Sequence, residues 1–336
     1  MIAKKNTSIW SRGLAALLAI VCVLSLAVGA FAQAPEEQKF VMTYPEDMQA
    51  LGFTEPLVLD SVPQRIVCLS ASPVLALYEM GANLVGIPTS RVVTWPEDLV
   101  AATEPVQFSA MSSSDFDYEC IVELEADLVL VGSSSTEVGE QIESLGIPVY
   151  YVFAGHTVSY DNIKAQTEAL VKAFSLDEAS TAKGEEIMGR FTALEERLAS
   201  VQPTYTDKKA MVLQSSDTAN HYIQTERGTL ASMAAMMGFG NVYENETSSM
   251  TKLDFEQALD YNPDLVLCVG GGTAEEHKAL MEQAFSENEA YWNSIDAIKN
   301  GNVIYLPVEF CSTAGIHVID NINELVDCIE AFYAEK

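Results

Sequence analysis

A pattern of apolar and polar positions occurs twice in the chain, first over residues 119–131 and again over residues 256–268. Each copy begins with a glutamate, passes an aspartate and ends in a Leu-Val-Leu run, and the offset between the copies is 256 − 119 = 137 residues. The Leu-Val-Leu run is short and partly β-branched, which is typical of a strand covered on both faces. Each copy therefore predicts a short helix, a tight turn and a buried strand.

Strands and helices continue to alternate on either side of both copies. Apolar runs bounded by turn residues predict further strands at 65–70, 84–87, 148–153, 210–214 and 303–306. Helices that end at a glycine are predicted before Gly81, Gly146 and Gly238, and a last helix is predicted at 316–333. The pattern indicates two similar α/β lobes.

Two helices interrupt this alternation, at residues 160–174 and 177–200. The second carries apolar residues along one face and would span roughly 35 Å from Glu178 to Ser200. We therefore predict a first lobe at 33–156, a bridging helical segment at 157–204 and a second lobe at 205–336.

The chain begins with the features of a secretory signal. Basic residues precede an apolar run from Leu14 to Val28, and Ala30-Phe31-Ala32 fits a small-x-small cleavage site. Residues 1–32 are predicted to be a signal peptide that is cleaved near Ala32. The alternative is a retained membrane anchor, for which the run is shorter than the roughly 20 residues that span a bilayer.

The composition bounds the possible partners. The formal net charge of −30 becomes −33 when residues 1–32, with three cations and no anions, are removed. Such a chain repels nucleic acid and anionic lipid. The five cysteines outside the leader include no C-x-x-C pair, so neither a zinc ribbon nor a redox motif is predicted, and a disulfide stays open.

Several kinds of chemistry find no support in the sequence. The run Gly270-Gly271-Gly272-Thr273 has neither the spacing of a dinucleotide fingerprint nor the lysine of a P-loop. The four histidines are not paired at ligand spacing, and the serine-rich loops contain no G-x-S-x-G motif. We predict no catalytic residue, no resident metal and no cofactor.

The order of the predicted parts resembles a known family. Its motifs are Arg65-Ile66-Val67, Glu119 with Asp127-Leu128-Val129, Gly146-Ile147-Pro148-Val149, Glu256 with Pro263-Asp264, and Lys299-Asn300-Gly301-Asn302-Val303. Over about Arg65 to Tyr333 the chain resembles the class III periplasmic substrate-binding proteins of ABC importers, which take up ferric siderophores, vitamin B12 or haem. The resemblance implies two Rossmann-like lobes with parallel sheets, bridged by a long rigid helix, that bind ligand in the cleft between them.

In such a fold the cleft lies beyond the carboxyl ends of the strands. This places one predicted wall at Ser70, Ser72, Arg91, Ser112, Ser113, Ser114 and Ser133, and the other at His221, Tyr222, Met250, Gly271 and Phe310. Arg91 could hold a carboxylate or catecholate oxygen of the ligand, or pair on the surface with Glu97 or Asp98. Tyr222 and Met250 would be axial ligands if the ligand were haem.

Glu119 and Glu256 occupy equivalent positions in the two copies. Each stands at the first turn of a predicted helix, where a carboxylate interacts favourably with the helix dipole. The resemblance implies a second role, because matching glutamates of the vitamin B12 receptor meet permease arginines. We expect both to be exposed at the cleft-side face and to dock an ABC permease.

The function expected from these observations is that of an exported, monomeric receptor that captures a metal chelate and delivers it to a permease dimer. A ferric siderophore is the first choice of ligand, followed by haem and then cobalamin. The rival hypothesis is an enzyme that acts on a bound chelate, which would require an acid/base pair with perturbed pKa values in the cleft.

Overall fold

A computed structural model describes residues 39–90, 93–106, 116–154, 159–245, 247–312 and 314–336. Residues 41–57 and 63–336 belong to one compact unit, which contains both large sheets. Residues 39–40 and 58–62 belong to a second, small unit. The predicted signal at 1–32 lies outside the described residues, and within those that are described no helix is long and apolar enough to cross a membrane.

The first large sheet contains five parallel strands in the order β5-β4-β3-β6-β7. They follow a small two-stranded sheet of Phe40–Met42 (β1) and Leu57–Leu59 (β2). The five strands are Ile66–Cys68 (β3), Leu84–Pro88 (β4), Glu104–Val106 (β5), Leu128–Gly132 (β6) and Val149–Val152 (β7). Every residue of β6 is buried, as the Leu-Val-Leu run predicts for a strand covered on both faces.

Short helices pack around this sheet. They are Glu46–Ala50 (α1), Val74–Met80 (α2), Glu97–Ala102 (α3), Glu119–Glu123 (α4) and Thr136–Ser144 (α5). The predicted end of α2 at Gly81 is confirmed, because this glycine adopts the left-handed conformation with φ of 80°. Apolar side chains of α4, α5 and β6 share one core, which includes Ile121, Ile142 and Val129.

Two long helices follow the first sheet. Tyr160–Phe174 (α6) begins at Ser159, whose side chain accepts the Asn162 N–H, and Glu178–Tyr205 (α7) begins with a capping box at Asp177 and Ser180. The predicted apolar face of α7 is confirmed, because Ile187, Phe191, Leu194 and Leu198 are all buried. At 28 residues α7 is longer than predicted and spans roughly 42 Å.

Charged side chains attach α7 to both lobes. Arg190 lies 3.0 Å from the Glu79 carboxylate on α2, and Arg197 lies 2.5 Å from Asp327 and 3.2 Å from Glu330. These pairs are partly exposed, so each contributes little to stability, but together they orient the helix.

The second large sheet has the order β11-β9-β8-β12-β13, with β10 paired to β8. Its strands are Lys209–Ser215 (β8), His221–Gln224 (β9), Gly240–Asn241 (β10), Met250–Lys252 (β11), Leu265–Gly270 (β12) and Val303–Leu306 (β13). Its central strands are parallel, as the family resemblance implies, whereas β9 and β11 are antiparallel additions. Only five residues join β8 to β9, which is too short for a parallel crossover. The Asp217 carboxylate closes this turn by accepting the N–H groups of Ala219 and Asn220.

The helices of the second lobe complete the structure. They are Thr229–Met236 (α8), Ala274–Glu287 (α9), Glu289–Trp292 (α10), Asp296–Lys299 (α11) and His317–Ala334 (α12). Two 3₁₀ turns occur at Gln257–Asp260 and Val308–Cys311, the first where the repeat predicts a short α-helix. A second core, separate from the first, surrounds Trp292 and Met281. The five cysteines in the described residues are free thiols.

The repeat is preserved in backbone detail. Glu125 and Asn262, which are 137 residues apart, are the non-glycine residues with positive φ among those described, at 48° and 40°. They form the predicted tight turn of each copy. Directly after each turn, Asp127 accepts the N–H groups of Gln64 and Arg65, and Asp264 accepts that of Lys209. The repeated aspartate thus fixes the start of the neighbouring strand in each sheet.

The lobe boundaries at 33–156, 157–204 and 205–336 stay predictions. Along the chain, the strands of the first large sheet come before α6 and α7, and the strands of the second large sheet come after them, which is the order that these boundaries require.

Candidate functional site

The two lobes come into close contact at Ser72 and Gly315. Ser72 follows β3 of the first lobe, and Gly315 precedes α12 of the second. A Cβ atom on Gly315 would overlap the carbonyl oxygen of Ser72, and Gly315 has a φ of +56°. Both features require glycine at this position. The side chain of Ser72 is held by Gln166 of α6, whose amide nitrogen donates to Ser72 Oγ at 2.8 Å.

A cavity of about 610 Å³ opens between residues of the two lobes. Thr94, from the loop after β4, lines it on the first-lobe side. The second lobe contributes the segments after β12 and β13 and one face of α12, and these residues are Gly272, Thr273, Ala274, Glu275, Glu276, Pro307, Val308, Glu309, His317, Asn321 and Glu324. We call this space the interlobe cavity. It lies beyond the carboxyl ends of the strands, where ligand sites of α/β folds occur.

Hydrogen bonds join the second-lobe segments into one wall. Thr273 and Glu276 form a capping box that starts α9. The Val308 N–H donates to the Gly272 carbonyl at 3.1 Å. The buried amide of Asn321 donates to the Glu309 carbonyl at 3.2 Å, which ties the 3₁₀ turn to α12.

Carboxylates dominate the charge of this cavity. Its lining includes Glu275, Glu276, Glu309 and Glu324, and none of the lining residues that the structure describes is Lys or Arg. One carboxylate oxygen of Glu309, Oε2, is shielded from solvent and has no hydrogen-bond partner. A shielded oxygen without a donor is energetically unfavourable.

His317 is the one basic side chain among the described lining residues, and it is already paired. Its Nδ1 lies 3.4 Å from Asp320 Oδ2 on the next turn of α12. This hydrogen bond, reinforced by the charges of His317 and Arg190, holds the pKa of Asp320 below its ordinary value. His317 is therefore engaged with Asp320 rather than with the glutamates of the cavity.

A second cavity, of about 580 Å³, lies on the first lobe and is lined by hydroxyl, amide and carboxylate groups together with apolar side chains. We call it the first-lobe cavity. Its residues are Asp47, Leu51, Phe53, Ser133, Ser134, Thr136, Phe153, Ala154 and Asn162. Ser133, which the sequence predicts at the ligand cleft, belongs to this cavity and not to the described lining of the interlobe cavity.

The other predicted first-lobe residues divide into two groups. Ser70 and Ser72 are half-buried beyond the end of β3, where the Ser72 N–H donates to Ser70 Oγ at 3.4 Å. Arg91, Ser112, Ser113 and Ser114 lie outside the described residues. Their proposed ligand contacts stay predictions.

On the second lobe, two predicted ligand residues are buried in this conformation. His221 is 3% exposed, its Nδ1 lies 2.8 Å from Ser215 Oγ, and its Nε2 lies 3.1 Å from the Thr218 carbonyl. Burial lowers the pKa of His221, so its ring is held neutral. Phe310 is completely buried. Both would have to move before touching a ligand.

The remaining predicted second-lobe residues are exposed. Tyr222 on β9 and Met250 on β11 are 36% and 40% exposed, and Gly271 is exposed next to the lining residue Gly272. Their role in binding stays a prediction.

The sequence analysis missed most of the described lining of the interlobe cavity. Thr94, Glu309, His317, Asn321 and Glu324 belong to segments that carry no motif. One signal was available, because Thr273-x-x-Glu276 directly after a predicted strand is the sequence of a capping box. Among the described residues, no group of three or more His, Cys, Asp or Glu is arranged to hold a metal ion.

Glu119 and Glu256 are both exposed, as the docking hypothesis requires. The backbone N–H of each donates to the aspartate two residues earlier, Asp117 at 3.0 Å and Asp254 at 2.9 Å. The two glutamates are therefore presented by the same local turn in the two lobes. Contact with a permease stays a prediction.

Known proteins resemble this chain over most of its length. The high-affinity heme uptake system protein IsdE of Staphylococcus aureus is 20% identical over 277 residues, which are 81% of this chain and 88% of that protein. The iron uptake ABC transporter substrate-binding protein PiuA of Streptococcus pneumoniae has a similar structure, with a TM-score of 0.65 and 22% identity over 85% of this chain and 97% of that one. The petrobactin-binding protein YclQ of Bacillus subtilis gives a TM-score of 0.64 and 18% identity over 87% and 99%.

These structural likenesses establish the fold with its two lobes. The family model described as periplasmic binding protein matches residues 66–309, which is more than half of the chain and includes both large sheets. This chain belongs to the periplasmic binding protein family.

Proposed function

We propose that the protein is an extracytoplasmic receptor of an ABC importer that captures an iron chelate between its lobes and delivers it to a membrane permease. The observation that carries this proposal is the interlobe cavity, which residues of both lobes line beyond the carboxyl ends of their strands. Its volume of about 610 Å³ falls within the range of roughly 300–1,000 Å³ typical of small-molecule sites. The family consists of binding proteins, and we propose no catalytic activity for this chain.

A ferric siderophore is our first choice of ligand. The similar chains PiuA and YclQ are described as an iron uptake protein and a petrobactin-binding protein. The absence of a three-ligand metal group among the described residues favours an iron ion that arrives already chelated over a bare ion.

Haem is the second candidate, because the curated relative IsdE is described as a heme uptake protein. Exposed Tyr222 and Met250 would supply possible axial ligands. A cobalamin is the third candidate, since the vitamin B12 binding protein BtuF of Vibrio cholerae has the same fold, with a TM-score of 0.58.

A thermal-shift screen of ferric siderophores, haem and cobalamin tests this proposal. A ligand at 100 times its dissociation constant should add about 2.7 kcal/mol to the free energy of unfolding. The proposal fails if no chelate in the panel raises the melting temperature of the purified mature chain.

We further propose that Glu119 and Glu256 dock the permease. Replacing both with alanine should leave ligand affinity unchanged and abolish uptake by cells that carry the cognate permease. The matched control replaces Glu123 and Asp260, which are also exposed, also acidic and also related by the offset of 137 residues. Uptake at the wild-type rate with the Glu119/Glu256 variant would refute the docking role.

A further inference from the structure

Gln166 is a buried polar residue of α6 whose side chain joins two parts of the first lobe. It is 2% exposed. Its Oε1 accepts the Phe153 N–H at 2.7 Å, just after β7, and its Nε2 donates to Ser72 Oγ at 2.8 Å, beyond the end of β3. Both ends of the amide are therefore used, and neither hydrogen bond lies within α6.

The two partners explain why an amide stands at this position. The Phe153 N–H can only donate, so it determines which end of the amide is the carbonyl oxygen. The amide nitrogen then faces Ser72, whose hydroxyl oxygen accepts from it. An apolar side chain of the same length would leave the N–H of Phe153, a residue that is 4% exposed, without a partner.

Ser72 is also the residue at which the first lobe contacts Gly315 of the second lobe. Gly315 belongs to the first turn of α12, because its carbonyl accepts the Val318 N–H at 3.1 Å. Three residues of α12 line the interlobe cavity, namely His317, Asn321 and Glu324. The position of Ser72 therefore limits how closely this wall of the cavity approaches the first lobe.

We propose that Gln166 is a positioning residue, which sets the spacing of the lobes by holding Ser72 against Gly315 and thereby raises the affinity of the interlobe cavity for its ligand. This inference rests on the proposed function. Gln166 is not among the described residues that line the cavity, so it acts through Ser72 and Gly315. A site whose walls are already correctly spaced binds more tightly, because less conformational freedom is lost on binding.

Three variants separate this role from simple stabilisation of α6. Gln166→Met keeps the length of the side chain but removes both hydrogen bonds, whereas Ser72→Ala removes only the bond between the two side chains. The matched control is Thr167→Val. Thr167 is the next residue of α6 and is also 2% exposed, but its hydroxyl donates within the helix, to the Ile163 carbonyl at 2.7 Å.

The first measurement is the distance between the lobes, and it needs no ligand. Spin labels are attached at Val100 on α3 and Ala279 on α9, which are both exposed, through an introduced keto amino acid that leaves the native thiols unmodified. Pulsed electron paramagnetic resonance should give the same narrow distance distribution for the wild type and Thr167→Val. The distribution should be broader for Gln166→Met and for Ser72→Ala.

The second measurement is ligand affinity, determined by calorimetry. The probe is whichever of ferric desferrioxamine, haem and cobalamin gives the largest thermal shift with the wild type. Gln166→Met should weaken its binding by about fivefold, which corresponds to one hydrogen bond of about 1 kcal/mol. Ser72→Ala should have a similar effect, and the double variant should bind no more weakly than Gln166→Met, because both changes break the same bond. Thr167→Val should keep the wild-type affinity.

Two results overturn the inference and leave the proposed function standing. One is a wild-type distance distribution or a wild-type affinity in Gln166→Met, and the other is an equal change in Thr167→Val. If Gln166→Met does not fold, the half-buried Ser72→Ala takes its place under the same criteria. If none of the three probes binds, the proposed function fails, and the distance distributions alone decide whether Gln166 sets the spacing of the lobes.

Discussion

At the scale of single residues, Gly315 controls how closely the two lobes approach. Gly315→Ala would place a methyl group against the Ser72 carbonyl and would also strain a backbone with φ of +56°. The matched control is Gly301→Ala, because Gly301 has a φ of +68° but no atom within 4 Å of the added methyl group.

We expect Gly301→Ala to cost about 1–2 kcal/mol of unfolding free energy, from backbone strain alone. Gly315→Ala should cost about 1–3 kcal/mol more, from the overlap with Ser72, and should also weaken ligand binding. Urea unfolding and calorimetry measure both effects. Equal losses in the two variants would mean that the lobes do not press together at this point.

Two buried histidines should make stability depend on pH. His277 is 1% exposed, neither ring nitrogen has a hydrogen-bond partner, and burial together with the nearby His221 lowers its pKa. Burial also lowers the pKa of His221, against the opposing effects of the Thr218 carbonyl and the Asp217 carboxylate. For each histidine the pKa in the folded state lies below the pKa in the unfolded state, which is about 6.5. Its contribution to the free energy of unfolding is therefore fully present above about pH 6.5 and is lost as the pH falls from there through the folded-state pKa.

Lowering the pH from 7.5 to 5.5 should therefore reduce the unfolding free energy, by at most about 1.4 kcal/mol per pH unit for each histidine. His277→Leu should flatten this slope, and it should be tolerated because it removes two unpaired polar atoms. An unchanged slope in His277→Leu would show that His277 is not held neutral.

Most residues that line the interlobe cavity could not be predicted from the sequence. Glu309 and Glu324 come together through the packing of a 3₁₀ turn on α12, and no local pattern encodes that meeting. His221 illustrates the opposite case, since its place after a strand suggested the cleft. The short turn to β9 instead folds it back onto Ser215 and into the core.

At the scale of elements, the repeated aspartates secure the two large sheets unequally. Asp127 accepts two backbone N–H groups just before β3, at 2.7 and 2.8 Å, whereas Asp264 accepts one at the first residue of β8, at 2.7 Å. Hydrogen bonds to a charged acceptor contribute about 1.5–3 kcal/mol each when shielded, and less at a partly exposed site.

We therefore expect Asp127→Ala to lower the unfolding free energy by about 2 kcal/mol and Asp264→Ala by about 1 kcal/mol. Chemical denaturation measures both, with the exposed Asp260→Ala as the control. A larger loss from Asp264→Ala than from Asp127→Ala would contradict this account of the repeat.

Elements with a strong local pattern could be predicted from the sequence. The buried strands, the glycine-terminated helix α2 and the apolar face of α7 follow from patterns that span only a few residues each. The short strands β9 and β11 could not, because they pair with each other and with β8 at an edge of the sheet. Tyr222 and Met250 gain their extended structure from that pairing, since their own segments lack a regular alternation.

At the scale of the whole molecule, α7 should limit the motion between the lobes. Arg190 pairs it with α2 and Arg197 pairs it with α12, and Ser72 of the first lobe lies against Gly315 of the second. Ligand binding should displace the backbone by about 1 Å or less, as in other pre-organised complexes, and should therefore leave the radius of gyration nearly unchanged. Small-angle scattering of the empty and loaded protein measures this, and a contraction of several ångströms would contradict it.

The central claim is that a chelate binds in the interlobe cavity. The most direct measurement is a calorimetric titration of the best chelate from the screen into three proteins: wild type, Thr94→Trp and Ser134→Trp. Thr94 and Ser134 are both exposed. An indole at position 94 would fill the interlobe cavity, and an indole at position 134 would fill the first-lobe cavity. The account predicts one-to-one binding that Thr94→Trp abolishes and Ser134→Trp leaves intact. Wild-type affinity in Thr94→Trp, or loss of binding in Ser134→Trp alone, would contradict it.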